Sequence, residues 1–96
     1  MKSQLIFSPH AEADLEAILE YIAKDKPIAA ISFVEKLREK CFVLAANPEL
    51  GELRPDLAEN LRCFSFRNYV NFHRTMQNGV EIIRVASGFQ NLEMLF

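Results

Sequence analysis

The sequence is short of the residue types from which dedicated chemical sites are usually built. Its 96 residues include no tryptophan, two cysteines, two histidines and three glycines. Cys41 and Cys63 are far apart and each lies in an apolar run, which points to reduced core thiols rather than a disulfide framework or a metal site. His10 and His73 have no cysteine or carboxylate at ligand spacing, so neither a metal nor a cofactor is expected. Ser3, Ser8, Ser32, Ser65 and Ser87 all lack the strand–serine–helix glycine frame of a nucleophile elbow, which argues against a serine hydrolase. No apolar run approaches the length of a membrane span, and the N-terminus has one lysine and no extended apolar segment. A cytoplasmic protein without membrane contact is the expectation.

Charge of one sign is also lacking overall. The net charge of −2 gives no general reason to expect nucleic acid as a partner, and no direct, sequence-specific nucleic-acid contact is expected. The distribution is less even. Between Leu61 and Phe89 the charged residues are Arg62, Arg67, Arg74 and Arg84 against the single acid Glu81. Arginine makes bidentate contacts with carboxylates and phosphates, which suits a surface that grips an anion or an acidic peptide. A solvated strand face accounts for these arginines equally well.

What is present is enough for one core. Half of the residues are apolar, and residues 1–96 read as a single domain. Gln4 to Phe7 predicts a short strand. Ser8-Pro9 has the form of an N-cap followed by proline at the first helical position. Ala11, Leu15, Ile18 and Ile22 then recur at helical spacing, as do Ala30, Val34, Leu37, Cys41 and Leu44 after Pro27. Glu12, Asp14, Glu16 and Glu20 read as capping and solubility groups of the first helix, and Lys24 and Lys26 are expected in its last turn, complementing the helix dipole. The short link implies an antiparallel helical hairpin. Asn47 to Asn60 reads as a loop with one helical turn. Three strands are expected after it, Leu61–Phe66, Tyr69–Met76 and Val80–Phe89. Arg67-Asn68 forms the first turn. Asn78-Gly79 forms a two-residue hairpin with both central residues at positive φ. The aromatic residues Phe64, Phe66, Tyr69, Phe72 and Phe89 are expected to pack. The fold class is α+β, an N-terminal strand, a two-helix hairpin and a three-stranded antiparallel β-meander. The hairpin covers one face of a sheet of about four strands, and the other face stays partly open, where many of the arginines could project.

In that order, "FSPHAEADLEAILEYI", "AAISFVEKLREKCFVLAANPELGELRPDL", "LRCFSFRNYVNFHR" and "GVEIIRVASG" resemble the RelE/ParE toxin superfamily over nearly the whole chain. The most specific pieces are Ala13-Asp14-Leu15, Ala45-Ala46-Asn47-Pro48 with Gly51, and Ile83-Arg84-Val85 with Gly88. The resemblance implies a toxin neutralised by a cognate antitoxin in a hetero-oligomer. ParE-like members poison DNA gyrase, and RelE-like members cut mRNA on the ribosome.

The resemblance also implies where each activity would sit. RelE-type cleavage uses basic groups around the scissile phosphate and a terminal acid–base residue. Arg62 matches one basic position, but Tyr69, Gln90 and Phe96 stand where the others are expected. ParE members often close the last strand with a segment resembling R-V-L-H-G-x-R-D. Here Arg84 through Asn91 keeps the arginine, valine and glycine, with Ser87 for the histidine, Gln90 for the arginine and Asn91 for the aspartate. The expected contacts with target or antitoxin are therefore Arg62, Arg67, Arg74, Arg84, Ser87, Gln90 and Asn91, with no catalytic residue. A RelE-like endoribonuclease, or a toxin fold that has lost its toxicity, are the alternatives.

Overall fold

The computed structural model describes residues 4–87, and in them strand β1 (Gln4–Phe7) leads into helices α1 (Pro9–Ala23) and α2 (Pro27–Ala46). A 3-10 turn at Pro48–Leu50 is followed by strands β2 (Glu52–Leu53), β3 (Arg62–Phe66), β4 (Tyr69–Met76) and β5 (Gly79–Ser87). The sheet order is β1-β5-β4-β3-β2. β1 runs parallel to β5, and the other pairs are antiparallel. This is the expected α+β architecture.

Helix α1 begins where the sequence places it, because Ser8 is extended and its hydroxyl accepts the Ala11 N–H at 3.0 Å. The same hydroxyl donates to the Ile83 carbonyl at 2.7 Å, so the cap also clips the helix start to β5. The two apolar stripes meet over the sheet. Ala11, Leu15 and Ile18 of α1 and Val34, Leu37 and Cys41 of α2 bury against Val80, Ile82 and Val85. The aromatic residues Phe66 and Tyr69 pack on Phe33, with ring centroids 5.8 and 5.5 Å apart.

Four expectations need correction. The loop before β3 supplies β2, because Glu52 and Leu53 pair with Cys63 and Arg62, so the sheet has five strands. The sheet face opposite the helices is not left open for the arginines. Leu61, Phe72 and Ala86 form a second buried cluster there, covered by Leu57 and Ala58. The β4–β5 hairpin closes on the Met76–Gly79 pair, with Gln77 and Asn78 between them. Among the described non-glycine residues only Asn60 and Arg67 have positive φ, so Asn78 does not adopt the expected conformation. Gly79 does have positive φ, at 157°, and glycine is needed there for a second reason. It pairs with Gln4, and a Cβ there would overlap the Gln4 backbone. Lastly, α1 ends at Ala23 without a basic residue in its last turn, so Lys24 and Lys26 lie beyond it.

An irregularity in the β4–β5 ladder positions the site. Phe72 pairs with Arg84 and His73 with Ile82, which makes Ile83 an extra residue on β5. The bulge resets the alternation. Val80, Ile82 and Val85 face the helices, while Ile83 and Ala86 join the second cluster.

Candidate functional site

β1 stops at Phe7, opposite Ile82, so among the described residues no strand lies beside the outer edge of β5 beyond that point. Side chains from the start of α1 take the strand's place. Ser8 binds the Ile83 carbonyl, and the Asp14 carboxylate accepts the Val85 N–H at 2.9 Å. Asp14 also holds the Arg84 guanidinium in a bidentate pair at 2.8 and 3.0 Å. Hydrogen bonding to Asp14 raises the Arg84 pKa further above its ordinary value. Such a fork-to-carboxylate pair is both strong and directional. Asp14 is therefore a tertiary tie rather than the capping group expected from sequence, and Arg84 is engaged within the molecule.

Glu12 does a lighter version of the same work. Its carboxylate receives Arg38 at 2.9 and 3.2 Å, which lowers its pKa, and the Arg38 guanidinium carbon sits 5.0 Å above the Phe7 ring. This pair stands on the rim of a groove between α1 and α2. Pro9, Ala13, Leu15, Leu19 and Val34 make its apolar walls, and Glu16 lies on the same rim.

A second cleft opens where β5 ends. It is lined by Asp14, Ala17, Ile18 and Tyr21 of α1, by Asn68 and Tyr69, and by Val85 and Ser87. Ser87 therefore lies beside the chain's two tyrosines. Burial raises the Tyr69 pKa, with a smaller contribution from Tyr21. Arg67 is at this end of the sheet, its guanidinium carbon 5.5 Å over the Phe66 ring. Arg62 and Arg74 are toward the other end. Five residues of strand separate Tyr69 from Arg74, about 17 Å at the usual rise. Arg62 donates to the Gly51 carbonyl at 2.7 Å, and exposed Arg74 is the ladder partner of Glu81. The four arginines are thus spread along the sheet. Gln90, Asn91 and Phe96 lie outside the described residues.

One polar pair was not anticipated from sequence. His73 is fully buried, and its Nδ1 lies 2.9 Å from Asn71 Oδ1. Nε2 is the one buried side-chain nitrogen or oxygen without a hydrogen bond among the described residues. Burial, followed by the nearby Arg62 charge, depresses the ring pKa to about 4. The available signal was the i, i+2 spacing on a strand, which puts both side chains on one face. No group of three His, Cys, Asp or Glu side chains among the described residues could hold a metal. No helix among the described residues is long and apolar enough to cross a membrane.

A family model described as "ParE toxin of type II toxin-antitoxin system, parDE" matches residues 5–92. The solved structure titled "Chromosomal ParDE TA system from P. aeruginosa" is similar, with a TM-score of 0.75 and 25% identity, covering 91% of this chain and 96% of that chain. No curated protein matches. The match over nearly the whole length, on a fold of this topology, places the chain in a family: it belongs to the ParE toxins of type II toxin–antitoxin systems.

Proposed function

We propose that this toxin is held inactive in the cytoplasm by a cognate antitoxin and acts by binding a protein target, DNA gyrase, rather than by cutting RNA. The observation that carries the antitoxin half is the groove between α1 and α2. Its apolar walls leave Ala13 exposed and Leu19 partly exposed above the buried Val34. An amphipathic antitoxin helix laid along this groove would bury Ala13 and Leu19. An adjoining segment could add a strand beside β3, where β2 covers only Arg62 and Cys63 and no other described strand accompanies Phe64 to Phe66 on that edge. The partner would fold as it binds, giving a hetero-oligomer.

Ala13 offers the test, since it lines the groove yet is exposed. Co-expressed antitoxin is expected to co-purify with the wild type and to raise its melting temperature. Ala13→Arg should weaken the complex at least about tenfold, the loss from roughly 1.4 kcal/mol of binding energy, with the melting temperature of the free toxin unchanged. Separate elution of the two wild-type proteins at micromolar concentration, or unaltered affinity of the variant, would overturn the reading.

The ribonuclease alternative is disfavoured by chemistry. Tyr69 packs against Phe33 in the core, and its phenol stays protonated at neutral pH. Arg84 is committed to Asp14. A catalytic cluster needs free cationic groups aimed at one phosphate, and the arginines here are dispersed or engaged. Translating ribosomes incubated with the protein should retain intact mRNA. Site-specific cleavage that disappears in Arg62→Ala would reverse this conclusion.

A further inference from the structure

We propose that the segment Pro48–Leu53 is a strap latched over His73, and that protonation of His73 opens it and bares the edge of β3. The strap has few holds of its own. β2 is two residues long and exposed, and Leu50 and Leu53 are 53% and 52% exposed. Besides the two-residue ladder with β3, it stays in place through three contacts. Gly51 sits against the His73 ring, the Arg62 guanidinium donates to the Gly51 carbonyl at 2.7 Å, and the Arg54 N–H donates to the Leu61 carbonyl at 2.7 Å. The first contact is intimate. A Cβ on Gly51 would lie 2.6 Å from His73 Nε2 and 3.1 Å from the Arg62 Cβ. Gly51 has an ordinary extended backbone, with φ −73° and ψ 150°, so glycine is required here by the ring beneath it and not by the turn.

The groups around the ring give the latch its sign. On β4, Asn71 meets Nδ1; on β3, Arg62 adds a positive charge; on β5, the ladder partner is apolar Ile82; from the 3-10 turn, only the Pro48 carbonyl favours a proton. No carboxylate offsets the positive charge that protonation would add. A second cation beneath the strap, beside Arg62 and with only the Pro48 carbonyl to offset it, can be relieved by admitting water, and the least-held cover is the strap. With the ring pKa at about 4 when closed and near 6.5 when hydrated, closure is fully favoured above about pH 6.5. It is lost progressively as pH falls toward 4. At pH 5 the open state gains roughly 30-fold over pH 8. Opening removes β2 from Arg62 and Cys63, so the free edge would run continuously from Arg62 to Phe66. That consequence rests on the proposed strand addition beside β3; the latch itself does not.

Amide hydrogen exchange on the free protein tests the latch without any partner. The Arg54 N–H reports on closure. After correction for intrinsic rates, its protection is expected to fall roughly 10- to 30-fold between pH 8 and pH 5, while amides of the β4–β5 ladder hold theirs. In Gly51→Ala, Arg54 should exchange at pH 8 about as fast as wild type does at pH 5, and His73→Gln should remove the pH dependence. Protection of Arg54 that is flat with pH, or that falls in step with the β4–β5 amides, would overturn the proposal. So would a Gly51→Ala protein with wild-type Arg54 protection.

Discussion

Asp14→Ala is expected to destabilise the domain by about 3 kcal/mol, a value at the low end for breaking a buried ion pair by removing one partner. The carboxylate satisfies two groups at once, the Arg84 guanidinium and the Val85 N–H, and both side chains of the pair are largely covered, at 17% and 22% exposure. Its loss leaves a guanidinium and a strand-edge N–H without acceptors at a point where β1 no longer shields β5. For a domain of this size each 1 kcal/mol moves the melting temperature by about 4–8 °C, so the midpoint should fall by roughly 12–24 °C. Asp14→Asn should cost less, because its carbonyl oxygen can still accept the Val85 N–H. Glu12→Ala removes an ion pair whose side chains are 38% and 50% exposed, and should cost less than about 1 kcal/mol. Urea denaturation of the three variants gives the ranking directly. A loss below 1 kcal/mol for Asp14→Ala would mean that Asp14 is no more than the solubility group it resembles in sequence.

On the proposed reading, the largest functional effect is a gain. The triple change Ser87→His, Gln90→Arg, Asn91→Asp should strengthen inhibition of gyrase supercoiling by tens to thousands of fold over the wild type. Restored charged contacts at a buried interface are typically worth about 2–5 kcal/mol. The three wild-type residues leave the segment from Val85 to Asn91 without charge. Arg84 itself is bound to Asp14 and cannot substitute without breaking that pair. Ser87 lies in the cleft beside Tyr21 and Tyr69, so a histidine at this position would sit at the mouth of an existing surface depression. Supercoiling assays and growth without antitoxin are the readouts, with antitoxin affinity as the control for folding. Strong inhibition by the wild type that the triple change leaves untouched would show that the activity resides elsewhere on the protein.

Sequence alone determined the two helices, the first strand and the three meander strands, with the inward faces of the helices, but not β2. The apolar spacing of Ala11, Leu15 and Ile18, and of Ala30, Val34, Leu37, Cys41 and Leu44, coincides with the residues that are buried in the two helices. Ser8-Pro9 marked the start of α1 because a cap is made within four residues, by chemistry that depends on local order. The family was legible for the same reason, as a succession of such local pieces. Tertiary structure decided what the polar residues do. Asp14 and Arg84 are 70 residues apart in sequence, and only the bulge at Ile83 and the end of β1 bring the carboxylate to the β5 edge. The hairpin at Asn78-Gly79 was half legible: Gly79 has the expected positive φ, but Asn78 does not, and the parallel approach of Gln4, which also excludes a side chain at Gly79, left no local sign. His73 and Gly51 gave no local sign of each other, since their contact is made by a strap that crosses the sheet edge. Periodicity records which face is dry; which polar groups meet on it is fixed by register and by the path of loops, and neither is written in any short stretch of chain.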